Sequence, residues 1–301
     1  MSDAVFSLTD VHKRFGKAEA LRGLDLEAPA GSIIGLLGRN GAGKTTALRC
    51  LVGLQRPTRG TVRVFDEDPW RFGVEEKRRI GYLAEGELPF PHAKVRDLID
   101  IIARLHPRWD ASLSDELLDR FRIARTARVH TLSSGQHRAL GLLLALCPRP
   151  DLLLLDEPAA NLDPVLRRRF LKEVLDLVAE PGRTVLFSSH ILSDVERVAD
   201  RVAIIEQGRV LLHRPLDELK EEVRRIRLRF PGGAPGDFQF PAALRIQRTA
   251  SEILLTVDRY TDEMRARLAE ETGADIHIQT LGLEDLFLDL VGDDDLWGAV
   301  A

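Results

Sequence analysis

Apolar and polar residues alternate, with interruptions, along the first segments: residues 5–11 (VFSLTDV) and 21–28 (LRGLDLEA) come near enough to the period of a strand with one buried face to read as strands. Residues 14–20 read as the turn between them, and 61–65 reads as a further short strand after the turn signal at 57–60. They predict a small antiparallel β layer. The pattern then changes to continuous apolar runs at 33–37, 80–83, 152–155, 184–188 and 201–206, the mark of strands buried on both faces. Between 95 and 121 the period is helical, with Val95, Leu98, Ile99 and Ile102 followed by Leu113, Leu117, Leu118 and Phe121. A helical subdomain over about 86–150 follows from this, and 164–178 reads as a helix between the strands at 152–155 and 184–188. Strand and helix alternate, which predicts a mostly parallel sheet carrying ligands at its carboxyl edge.

Past Arg214 the character shifts. A charged helix over 215–225 precedes a Pro and Gly loop at 231–236, a strand pair at 244–248 and 253–258, a helix at 261–271, a strand at 275–279 and a last helix at 283–291. The chain therefore reads as a large α/β domain over 1–214 and a small α+β domain over 215–301. It carries no internal repeat and no heptad run of coiled-coil length.

Composition narrows the class. The 301 residues are 44% apolar, enough for one large and one smaller core. A net charge of −4 offers no electrostatic footprint for nucleic acid, and the Arg clusters at 167–169 and 224–229 read as solvated faces. Cys50 and Cys147 lack metal or redox spacing and sit in apolar segments, as buried thiols of a reducing cytosol do. The first residues lack the basic and apolar regions of a signal peptide. The longest apolar run, 139–147, is about half of what a membrane helix needs. Action at a membrane would require another chain to span it.

The chemistry starts at residues 38–46, GRNGAGKTT, which fit G-x-x-x-x-G-K-[ST] at Gly38, Gly43, Lys44 and Thr45. An apolar run precedes the loop and an amphipathic segment follows it, the strand–loop–helix context that phosphate binding requires. Along Asn40, Gly41, Ala42 and Gly43 the backbone wraps with N–H groups inward, and the positive end of the next helix, at Thr45 and Thr46, adds to the attraction for phosphate. Lys44 would reach the β and γ phosphates, and the Thr45 hydroxyl would ligate Mg²⁺. A phosphate loop alone leaves kinases, GTPases and motor ATPases open. A second motif, LLLLDE at 152–157, puts two carboxylates at the end of a buried strand: Asp156 as the Mg²⁺ partner through water, Glu157 as general base for the attacking water. A third, LSSGQ at 132–136, makes a further anion site from Ser133, free amides and a helix dipole; taken singly, it reads equally as an N-cap with a turn.

The order of these motifs, followed by Asn161-Leu162-Asp163 and then Ser189-His190, resembles the ATP-binding subunits of ABC transporters over about residues 5–214. The resemblance implies a P-loop NTPase core, with ATP and Mg²⁺ as cofactors. It implies that Phe15 stacks on adenine, that His190 contacts the γ-phosphate and helps position the water, and that Asp163 lies in the segment crossing a dimer interface. In this family two ATPases pair head to tail, so Ser133, Gly135 and Gln136 would act in trans on the partner's nucleotide. Three positions depart from the family pattern. Glu85 stands where Gln is usual as a magnesium ligand, Ser134 replaces the second Gly of the signature, and Ala160 stands where Ser is common. A carboxylate also ligates Mg²⁺, so the role of Glu85 survives the change.

The tail LGLEDLFLDLVG at 281–292 resembles the end of the accessory domain on drug and antibiotic exporter ATPases; otherwise it reads as a plain amphipathic helix. The resulting expectation is an ATPase subunit of a membrane exporter, on the cytoplasmic face of the cell membrane. A separate transmembrane permease and a second ATPase subunit, identical or related, would be its partners, and no nucleic acid is expected. The alternatives are an ABC ATPase acting on ribosomes or DNA, and a nucleotide-gated module that hydrolyses poorly. The presence of Glu157 and His190 disfavours the last.

Overall fold

The computed structural model describes residues 4–160, 162, 163, 165, 167, 168, 170, 171, 174 and 182–292. They form two compact units, one ending at Val210 and the other beginning at Leu211.

In the first unit the alternating segments pair as expected, but the strands are longer: β1 (Ala4–Phe15) and β2 (Ala18–Pro29) run antiparallel, with β4 (Arg59–Val64) on the other side of β1. The turn is Gly16-Lys17 rather than the whole of 14–20, because Gly16 at φ 58° supplies the left-handed conformation that a two-residue hairpin demands. Phe15 is thereby carried on a strand end, not in a loop. Leu8, Val11, Leu21 and Leu24 on one face of this layer are fully buried.

The continuous apolar runs make the parallel sheet, in the order β5 (Ile80–Leu83), β6 (Leu152–Leu155), β7 (Thr184–Ser189), β3 (Ile33–Leu37) and β8 (Arg201–Glu206). All four leucines of β6 are buried, as a strand covered on both faces requires. β7 lies between β6 and β3, so the residues that follow these three strands meet at one edge. Gly35 in β3 sits under α6 (Leu192–Val198), a short helix absent from the sequence reading; a Cβ there would lie 2.4 Å from Val195 Cγ1. Helix α1 (Lys44–Leu51) starts directly from the glycine loop, and a short helix, α2 (Val74–Arg78), precedes β5.

The helical region consists of α3 (Val95–Leu105), α4 (Ala111–Arg120) and α5 (Ser134–Leu146), the first burying Val95, Leu98 and Ile99 along one stripe. Burial pushes the thiols of Cys50 and Cys147 up to about 11 and about 12, which keeps both protonated and inert. Of the helix expected over 164–178, residues Val165, Arg167, Arg168, Phe170, Leu171 and Val174 are helical; the rest of that segment, and Asn161 and Arg169, lie outside the described residues.

The second unit is a four-stranded antiparallel sheet, β11 (Ala243–Arg248), β12 (Glu252–Val257), β10 (Arg224–Arg229) and β13 (Asp275–Thr280) in that order. Its core gathers Ile226, Leu228, Ile253, Leu255 and Leu268, the last from helix α8 (Asp262–Thr272). The charged helix expected over 215–225 is shorter, α7 (Leu216–Glu222), and a strand, β9 (Arg209–Pro215), precedes it. The run RRIRLR at 224–229 corrects the expectation of a solvated face, since it is an inner strand with Ile226 and Leu228 fully buried. Arg225 is buried too. Its guanidinium lies 2.9 Å from Asp289 Oδ2 and 2.5 Å from Oδ1, a fork supplied by helix α9 (Leu283–Val291), and the Thr256 hydroxyl donates to the same carboxylate at 2.8 Å.

Removing one partner of a buried, hydrogen-bonded ion pair leaves an uncompensated charge. Asp289→Ala is therefore expected to destabilise the second unit by about 3 kcal/mol in urea unfolding, while Arg225→Met with Asp289→Leu together restores most of the loss. Equal losses in the single and double variants would contradict this account of the strand.

Candidate functional site

The phosphate loop leaves the end of β3 and folds back on itself through glycines at positive φ, Gly41 at 85° and Gly43 at 112°. Gly43 cannot carry a side chain for a second reason: a Cβ would lie 2.7 Å from the Ala20 carbonyl. Gly38 and Ala42 form the packed base of the loop, where a Cβ on Gly38 would meet Ile205 O at 2.4 Å and Ala42 is 4% exposed. Lys44 reaches over this loop, donating from Nζ to Gly38 O at 2.7 Å, and its ammonium lies 3.1 Å from Glu157 Oε1.

Asp156 and Glu157 follow β6 as expected. Asp156 is fully buried; its Oδ1 accepts from the Thr45 hydroxyl at 3.1 Å and from the Ser188 hydroxyl at 2.9 Å, while Oδ2 is buried without a hydrogen-bond partner. Glu157 adopts φ 47°, a conformation that costs a non-glycine residue about 1 kcal/mol or more and is held by its surroundings. Its backbone N–H donates to Ser188 Oγ at 2.8 Å, and Oε2 lies 2.9 Å from His190 Nδ1. Three strand ends thus interlock: Lys44 and Thr45 after β3, the carboxylates after β6, Ser188 and His190 at the end of β7.

Lys44, Thr45, Glu157 and His190 open on a cleft of about 680 Å³ whose lining also includes Phe15, Asn40, Gly41, Gly43, Thr46 and Glu85. Phe15 is 47% exposed, with Lys13 Nζ 5.0 Å above its ring. Ser133, Gly135 and Gln136 do not line this cleft. They lie in another recess, of about 440 Å³, with Phe121, Arg122 and Phe170. There Ser133 caps α5: its hydroxyl accepts from Gln136 N at 3.3 Å, and Gln136 Oε1 accepts from Ser133 N at 3.2 Å. The cap uses only the acceptor side of the hydroxyl and leaves its proton free to bond outward. Asp163 is exposed, and its Oδ1 accepts from Val165 N at 3.0 Å, outside the cleft.

Two contributors were not singled out from the sequence. Ser188 ties both carboxylate residues together, and the available signal was a hydroxyl at the end of a fully buried strand. Arg167, expected on a solvated face, is half-buried and adds a cationic side chain to the cleft wall, donating to Leu162 O at 3.3 Å.

The oxygen set of Thr45, Asp156 and Glu85 suits a hard divalent cation, and the unpartnered Asp156 Oδ2 is the acceptor such an ion would satisfy. With the glycine loop at the carboxyl edge of a parallel sheet, fold and site define a phosphate-loop nucleotide-binding protein. The ABC transporter family model matches residues 21–160. The daunorubicin resistance ATP-binding protein DrrA3 of Streptomyces coeruleorubidus is 34% identical, over 98% of either chain. A Nod factor export ATP-binding protein I of Burkholderia lata is 31% identical over 97% of this chain and 98% of its own. The methionine import ATP-binding protein MetN of Mesorhizobium japonicum is also 31% identical, over 97% and 87%. A solved ATP-binding subunit of an ABC transporter superposes with a TM-score of 0.64 at 23% identity, over 72% of this chain and 92% of that one. The chain belongs to the ATP-binding proteins of ABC transporters, and ABC ATP-binding domains are ATPases.

Burial, the first cause, raises the Asp156 pKa above its ordinary value; the Ser188 and Thr45 hydroxyls oppose the rise. The native carboxyl holds its proton more tightly than the unfolded one. Its ionised form therefore subtracts from stability, by an amount that grows as pH rises from the unfolded value towards the native one. Asp156→Asn keeps an oxygen for both hydroxyls, so the ligand-free variant is expected to melt above the parent at pH 7. The gain should shrink below the ordinary carboxylate value of 3.8, and a lower midpoint at pH 7 would contradict the assignment.

Proposed function

We propose that the chain hydrolyses ATP as one half of a dimer and drives a separate transmembrane permease, exporting its substrate, from the cytoplasmic face of the membrane. The observation that carries this reading is the division of the machinery: the phosphate loop, Glu157 and His190 share one cleft, with Asp156 buried behind Thr45, whereas Ser133 and Gly135 open on another recess. A second copy or a relative, turned head to tail, would bring its LSSGQ loop over the first cleft and complete it.

In that arrangement Phe15 offers an aromatic face to the base, and the loop amides with Lys44 hold the phosphates. Thr45, Asp156 and Glu85 would hold Mg²⁺, whose chemistry is to neutralise charge on the β and γ phosphates. Lys44 is paired with Glu157 in the ligand-free protein, so an arriving γ-phosphate exchanges partners with it and frees Glu157 Oε1 to accept a proton from water. His190 holds the other oxygen of Glu157 and faces the same space.

A partner in the membrane is supported by the family and by the absence, among the described residues, of any helix long and apolar enough to cross a membrane. Closure on ATP would reach the permease through the segment from Glu85 to Val95, where Phe90 is 59% exposed at φ 56°. Export is supported by the drug-resistance and Nod factor relatives, which match through the C-terminal unit. The import relative matches a similar length, so transport direction is for experiment to read.

Glu157→Gln is expected to bind ATP as the parent does, to lose about a thousandfold in turnover, and to accumulate as an ATP-bound dimer on sizing. Retained turnover would remove Glu157 as the base. Purification of the tagged protein from its native membrane should bring down a polytopic permease; recovery with ribosomal or chromosomal proteins instead would favour the non-transport reading.

A further inference from the structure

Helix α5 does more than present its N-terminus. Its residues His137 and Arg138 turn back onto the segment that carries Glu85. Arg138 is 6% exposed, and its Nη1 donates to the Ala84 carbonyl at 3.1 Å. The backbone N–H of Leu88 donates to His137 Nε2 at 3.3 Å, so that nitrogen carries no proton. The stretch 84–88 is gripped at both ends, with Glu85 and Gly86, at φ 104°, between the two bonds. Further along the helix, Gly141 packs so closely on β5 that a Cβ would lie 2.6 Å from Leu83 Cδ1. Leu83 O in turn accepts from Asp156 N at 2.8 Å. Helix α5 thus packs directly on this strand end.

A buried guanidinium is costly unless hydrogen-bonded and balanced by charge. Burial lowers the Arg138 pKa, while Glu85, Asp156 and Glu157 are the charges that oppose the fall. Arg138 therefore belongs electrically to the nucleotide cleft although it rides on the signature helix. Ser133 and Arg138 are separated by about 8 Å along one rigid helix, so a displacement at the first is felt at the second.

We propose that His137 and Arg138 are positioning residues that carry the motion of the signature helix onto Glu85, linking the nucleotide met in trans by Ser133 to the magnesium site in the same chain. The proposal rests on the dimeric reading above and on Glu85 as a metal ligand. It predicts that Arg138 acts through Glu85 rather than through general stability.

The test uses the full chain carrying Glu157→Gln, so that bound ATP persists, and reads the ratio of ATP affinity with Mg²⁺ to that in EDTA by calorimetry. Glu85→Ala and Arg138→Met are each expected to lower the ratio about tenfold, the scale of losing a group that orients a metal ligand. The two together should lower it no further than Glu85→Ala alone, and Arg138→Lys should recover part of the loss. An unchanged ratio in Arg138→Met beside a lowered one in Glu85→Ala overturns the clamp. An unchanged ratio in Glu85→Ala overturns the magnesium assignment instead, and hydrogen exchange then decides the clamp by itself. His137→Ala should speed exchange of the Leu88 amide without affecting 152–157; the same exchange in variant and parent overturns the clamp whatever the calorimetry gives, and applies also where Arg138→Met does not fold.

Discussion

Asp156 is a fully buried carboxylate, and much of the first unit is arranged around making that tolerable. An ionised group away from water is costly unless hydrogen-bonded, and here two hydroxyls, Thr45 from the first turn of α1 and Ser188 from β7, share one of its oxygens. The strand order meets that requirement. β7 must lie between β3 and β6 for Ser188 to reach Asp156 and the Glu157 amide together. It also fixes Glu157 in a left-handed conformation, which aims its carboxylate at Lys44 and His190 instead of letting the chain turn away after the strand. The second oxygen of Asp156 is left without a partner, so the fold holds an unfilled demand for positive charge.

The ligand-free cleft is consequently a set of provisional pairings. Lys44 is held by the loop carbonyl and by Glu157, so a phosphate competes for a lysine already pointed at it. Charge is rearranged within a formed site rather than assembled from solvent, the condition under which fixed groups contribute most to a transition state. The LSSGQ loop is equally preformed, rigidified by its own capping box, yet it opens elsewhere. Each chain carries a phosphate-loop cleft and a separate signature recess. In the proposed dimer, association would bring the one onto the other.

The sequence was legible where period and motif coincide. The glycine loop, the leucine run ending in two acids and the signature loop could be read because each lies at the junction of a buried strand or a helix with a short polar motif, and the structure joins the first and second of these in one cleft. Legibility failed where burial is decided by a distant partner. RRIRLR looks like a charged face, but Arg225 is buried because Asp289, 64 residues away, supplies a fork for its guanidinium. Ser188 was hidden in an apolar strand, since nothing local tells a structural hydroxyl from one that holds a carboxylate. His137 and Arg138 look like the polar turn of an amphipathic helix, and only the packing of α5 on β5 shows that they face a loop. The two-residue turn at Gly16 was missed because exposed Lys and Arg side chains interrupt the alternation before the hairpin closes.

The cleft around Lys44 would be half of an ATP site, completed by the Ser133 loop of another copy or a relative. Lys44→Ala disables one half of a chain and Ser133→Arg the other, so a mixed pair retains one whole site while each variant alone retains none. Measuring ATP turnover of the two variants separately and then mixed tests this most directly. Near-zero turnover is expected for each alone and recovered turnover for the mixture; full turnover in Ser133→Arg alone would show that the Lys44 cleft needs no second Ser133 loop.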